Sequence, residues 1–143
     1  MLGRILLTID SLLLLLGAPL ADYNHTHIFN PRWPPHAKFH CGQTITISVL
    51  LGLATLFYTW QPVLAQTKST SSSLSATQAA VARQSLHAAV FTGSVYWLGG
   101  LAAIQYPGAL GTDPEFGTGF PQGKGFSVAL GLGILGWALE TFT

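Results

Sequence analysis

The 143 residues include six lysines and arginines and five acids, 8% charged against 49% hydrophobic, with a net charge of +1 and a mean hydropathy of +0.45. Soluble domains run at about 25% charged residues, so this composition excludes an ordinary water-facing surface. The small net charge and the lack of any basic run exclude nucleic acid as a partner, and the single cysteine, Cys41, excludes an internal disulfide or a multi-cysteine metal site.

By length the chain is one domain. Roughly 20 apolar residues span a bilayer, and four stretches reach that length. The first is predicted over 3–21, an apolar run interrupted by Asp10. A secretory signal peptide is the competing reading, since Arg4 supplies a basic start and GAPLA resembles a cleavage site. Asp10 inside the apolar run and Pro19 near the cut favour a retained helix. The second helix is predicted over 37–61, entered after Pro34-Pro35, anchored by Tyr58 and Trp60 and closed by Pro62. Residues 65–78 are rich in Ser and Thr and read as a flexible polar loop. The third helix is expected over 80–106, then a Gly/Pro loop over 107–124, then a fourth helix over 125–142. No period-two alternation appears, so the fold class is all-α, a four-transmembrane-helix bundle rather than a barrel. In the last helix Ser127/Gly131 and Ala129/Gly133 are small-xxx-small pairs, which predict close helix packing. Orientation is undecided: Arg4, Lys68 and Arg83 lie on one side and Arg32, Lys38 and Lys124 on the other.

Following the chain up and down gathers the polar groups at the two ends of the bundle. One end holds Asp22–Gln43, DYNHTHIFNPRWPPHAKFHCGQ, which contains four of the five histidines and the cysteine, together with Asp113 and Glu115. His36, His40 and Gln43 fall on one helical face. Asp22, Asn24 and His27 follow the end of the first helix within reach of it. A carboxylate beside an imidazole makes an acid–base pair, so Asp22 is a candidate proton donor or acceptor, with His27 and His40 as relays. Arg32 and Lys38 could stabilise an oxyanion, Asn24, Asn30 and Gln43 could orient a substrate oxygen, and Trp33, Phe29 and Phe39 could line an apolar pocket. The alternative is a proline-rich interfacial loop whose polar groups satisfy its own backbone. His36 and His40 also have the spacing for two metal ligands, but the repeated histidine motifs of membrane di-iron oxygenases are lacking, and no metal is expected. Asn24-His25-Thr26 matches a glycosylation sequon so close to the membrane that it reads as coincidence. The other end holds Asp10, Arg83, His87 and Glu140. Asp10 lies roughly 12 Å into its helix; at that depth an ionisable group costs about 2.5–3.5 kcal/mol, so it must face inward, pair or stay protonated. His87 is its expected partner, in a catalytic or a structural pair.

The run DYNHTHIFNPRWPPHAKFH, residues 22–40, resembles small fungal integral membrane proteins of secondary-metabolite clusters, labelled epoxidase, epoxide hydrolase or cyclase. The resemblance implies a tailoring step on a lipophilic polyketide or polyketide–peptide intermediate, in an integral membrane setting, the endoplasmic reticulum by expectation. It transfers no catalytic residues. Acid–base chemistry on an epoxide or alkene without a tightly held cofactor is expected; true epoxidation would need an oxidant from elsewhere. A non-catalytic scaffold or carrier for a partner oxygenase is the other reading.

Overall fold

In the computed structural model, residues 1–67 and 75–142 are described, and they form four helices: α1 (Leu2–Asp22), α2 (Pro35–Thr67), α3 (Ala76–Ala103) and α4 (Gln122–Phe142). Each is long and apolar enough to cross a membrane, and no strand occurs among the described residues. Every helix packs on its neighbours in the chain, α4 closes back on α1, and α1 touches α3 across the diagonal. The outward faces carry Leu16, Leu50, Phe57, Phe91 and Val128, all exposed. Such a surface suits hydrocarbon, which cannot hydrogen-bond, and helices satisfy their own backbone groups there.

What holds the helices together is small residues and hydroxyls. Gly3 and Gly136 bring α1 and α4 into backbone contact: a Cβ on Gly3 would lie 2.2 Å from the Gly136 carbonyl, and one on Gly136 would lie 2.7 Å from the Gly3 carbonyl. Ser11 donates to the Gly52 carbonyl at 2.8 Å and Ser48 to the Leu14 carbonyl at 2.7 Å, tying α1 to α2. Thr55 and Thr92 share a 2.9 Å bond, and Ser85 donates to Gln61 at 2.9 Å, tying α2 to α3. Such bonds contribute about 0.6 kcal/mol each in lipid, so their number matters more than any one. At the end that holds both chain termini, Arg4 is buried, pairs with Glu140 at 3.3 Å and donates to the Thr59 carbonyl, while the Met1 amino group also pairs with Glu140.

Several sequence expectations change. Pro62 does not close α2, which continues to Thr67; proline is tolerated inside membrane helices, and Arg4 donates to the Thr59 carbonyl in the turn before it. α3 begins at Ala76, because Ser75 accepts from the Gln78 amide at 3.2 Å and Gln78 answers the Ser75 amide at 2.9 Å, a capping box. It also stops at Ala103 rather than running to 106. Of the Ser/Thr-rich loop expected over 65–78, residues 65–67 and 76–78 are helical, and residues 68–74 lie outside those described. Of the two small-residue pairs in α4, only Ala129/Gly133 is buried; Ser127 and Gly131 face outward, and nothing lies within 4 Å of a Cβ placed on Gly131.

Gly136→Val should force α1 from α4 and lower stability in detergent by about 1–3 kcal/mol, whereas Gly131→Val should change it by less than about 0.5 kcal/mol. Thermal unfolding of both purified variants checks the contrast.

Candidate functional site

At the end opposite the chain termini the four helices diverge around a cavity of about 720 Å³. Its inner wall is apolar and aromatic, with Leu13, Leu51, Tyr96, Trp97 and Phe126 among the lining residues. The space exists because α1, α3 and α4 present small side chains there, Gly17, Ala18, Gly99, Gly100 and Gly125. A Cβ on Gly100 would strike the Phe126 ring at 2.5 Å, so that glycine makes room for the ring.

Two loops roof the chamber. Residues 23–34 fold on themselves: Asn24 accepts from the Thr26 amide at 2.8 Å and the Thr26 hydroxyl at 2.6 Å, and buried Asn30 accepts from the Arg32 amide at 2.9 Å. The second loop, 104–121, turns through Gly108 and Gly119, whose φ of 79° and 82° favour glycine. The loops are tied by Trp33 donating to Asp113 at 3.0 Å, by an Arg32–Glu115 ion pair and by Asn30 donating to Glu115 at 3.5 Å.

Under that roof Asp22 and His27 both line the chamber, with His27 Nε2 3.7 Å from Asp22 Oδ1. The hydrogen bonds assign the imidazole tautomer. The Thr26 hydroxyl spends its one proton on Asn24, so the 2.7 Å contact between Thr26 Oγ1 and His27 Nδ1 must be donated by the ring. Neutral His27 therefore keeps its lone pair on Nε2, the nitrogen next to Asp22. The same two side chains and Thr44 also border a smaller cleft of about 320 Å³, with Trp33, His40 and Cys41. Asp22 and His27 thus stand between an outer cleft and an inner apolar chamber, placed to pass a proton between each other and to a bound molecule.

The other expected site residues fall elsewhere. His40 sits on the exposed face of α2, 3.0 Å from His36 and 3.2 Å from Gln43, and reaches only the outer cleft. Asn24 and Asn30 are consumed by the loop's own turns, the bland alternative for those two. Lys38 and Gln43 line neither cavity, and Phe29 and Phe39 are exposed rather than pocket-lining. Arg32 is committed to Glu115. Among the described residues no group of three or more His, Cys, Asp or Glu side chains converges on a metal-sized site.

Asp10 and His87 do not pair. Asp10 is fully buried at the bundle centre and accepts from the Trp97 indole at 2.7 Å, while its Oδ2 has no hydrogen-bond partner among the described residues. His87 is exposed and accepts from Trp137 at 3.0 Å. The reason is register: Asp10 lies level with Gly93, six positions or about 9 Å beyond His87 on α3. Gly93 and Gly133 admit the carboxyl, since a Cβ on either would lie 2.3 Å or 3.0 Å from Oδ2. Sequence reasoning missed Tyr96, Trp97 and Phe126 as chamber residues, although Trp97, ten residues beyond His87 on a helix facing Asp10, was a detectable donor for a buried carboxyl.

A family of unknown function (DUF6640) matches residues 6–142, and the chain belongs to it. No curated protein and no solved structure matches the chain.

Asp10→Asn keeps an oxygen for the indole and should leave stability close to that of the parent. Asp10→Ala strands the Trp97 N–H and opens a void, which should cost about 1–3 kcal/mol and shift the Trp97 emission; denaturation followed by fluorescence distinguishes the two variants.

Proposed function

We propose that this family member is a membrane-embedded enzyme performing acid–base chemistry on a lipophilic small molecule held in the chamber, with Asp22 and His27 as the proton-transferring pair. The supporting observation is their position: among the described residues, the one carboxyl side chain lining an apolar cavity of about 720 Å³ stands 3.7 Å from an imidazole nitrogen with a free lone pair. Cavities of roughly 300–1,000 Å³ enclose drug-sized ligands. A lipid-soluble substrate reaches such a site by partitioning into the bilayer around it.

The reaction proposed is opening or cyclisation of an epoxide. The Asp22 carboxyl gives its proton to the epoxide oxygen as the C–O bond breaks, the bonding pair leaving on oxygen. A hydroxyl or alkene of the same molecule, or a water, supplies the electron pair for the new bond at carbon. The proton it releases passes to His27 Nε2 and back to Asp22, so the pair ends as it began. No electrons are gained or lost, and no cofactor is required. Epoxide formation would need an outside oxidant, which makes opening or cyclisation the better match to these residues. The likeness of residues 22–40 to proteins of fungal secondary-metabolite clusters supports a polyketide or polyketide–peptide intermediate as substrate and the endoplasmic reticulum as the membrane.

The protein purified in detergent and given an epoxide-bearing lipophilic intermediate should convert it alone, followed by mass spectrometry. Asp22→Asn and His27→Gln should each lower turnover about 10²–10⁴-fold with substrate binding retained. Conversion seen only with a co-expressed oxygenase would overturn the enzyme reading in favour of a carrier, and full activity in both variants would remove the pair.

A further inference from the structure

The charge-bearing groups of the chamber lie at its mouth. Among the described residues lining it there is one carboxyl group, Asp22, beside the imidazole of His27, and no lysine or arginine. Arg32 is neutralised by Glu115 outside the wall, and Arg4 is held by Glu140 at the far end. Facing Asp22 from the inner wall is a cluster of mutually contacting rings. Tyr96 and Trp97 stand at 88° with centroids 5.1 Å apart, Trp97 and Phe126 at 39° and 5.6 Å, and Tyr96 and Phe126 at 77° and 6.2 Å. Rings crossed at such angles wall a space on more than one side. Aromatic faces attract cations through their quadrupoles, most strongly for tryptophan and in desolvated sites. The Trp97 N–H is given to Asp10 at 2.7 Å, and donating that proton toward a carboxyl oxygen enriches the indole in electrons.

We infer that the chamber is built to hold positive charge: its ligands are lipophilic cations, whether a ligand ammonium or the electron-deficient carbon of an acid-opened epoxide. This rests on the chamber being the ligand site proposed above. Asp22 supplies the counter-charge at the mouth once its proton has left it, and the faces of Trp97, Tyr96 and Phe126 attract the cation at the floor. Asp10 acts through Trp97 as a positioning residue, since its carboxyl fixes the indole against the cavity. A neutral hydrocarbon fills the same volume but gains nothing from either group.

The test compares octyltrimethylammonium with its neutral carbon isostere, in which a tert-butyl group replaces the trimethylammonium head, by calorimetric titration of the full chain in a non-ionic detergent. The ammonium should bind about tenfold tighter or more. Asp22→Asn and Phe126→Leu, the second leaving the Asp10–Trp97 bond in place, should each reduce that preference severalfold while affinity for the isostere is kept. Equal affinity for the two probes would overturn the charge inference and leave the lipophilic site standing. Binding of neither would overturn both.

Discussion

The Asp10–Trp97 bond is the constraint on which the rest of this bundle depends. A carboxyl group carried to the centre of a membrane domain must find a donor, because lipid supplies none. The indole of Trp97 answers it from the diagonal helix, and glycines on α3 and α4 give it room. Because the acceptor is fully buried, the ring that donates to it is fixed as well. The bond thus sets the register of α1 against α3 and at the same time gives the chamber its floor.

From that level the molecule divides in two. Toward the chain termini the packing is close, with Gly3 against Gly136 and the Arg4–Glu140 pair locking three helices. Toward the loops the helices part around small residues, and aromatic rings fill only some of the space. The roof is polar because it must meet water and headgroups, and its two loops are joined by Trp33, Arg32 and Asn30 reaching Asp113 and Glu115. One short bundle thus combines a tight half that sets the helices with an open half that leaves volume between them.

The four spans were legible in the sequence because hydrocarbon imposes length and apolarity on any helix that crosses it. The polar stretch Asp22–Gln43 was legible as a polar end of the bundle for the same reason, since so many polar side chains stand together in so apolar a chain. The details were less so. Composition places Asp10 at a depth but not its partner, which depends on the register of α1 against α3, and neither helix alone carries that register. Helical spacing put His36, His40 and Gln43 on one face, correctly, but not which way that face turns; it turns outward. An apolar pocket at this end was expected, but its lining was invisible, because Gly99, Gly100, Tyr96 and Phe126 look like ordinary membrane-span residues until four helices bring them together.

The account stands or falls on whether a lipophilic molecule occupies this chamber in preference to the surrounding bilayer-facing surface. A long-chain epoxide bearing a photoactivatable diazirine, crosslinked to the protein in lipid nanodiscs and mapped by peptide mass spectrometry, measures that directly. The account predicts saturable labelling concentrated on Tyr96–Ala103 and Gly125–Ala129, suppressed by excess unlabelled epoxide. Labelling spread over exposed faces such as Phe57 and Phe91, and indifferent to the competitor, would contradict it.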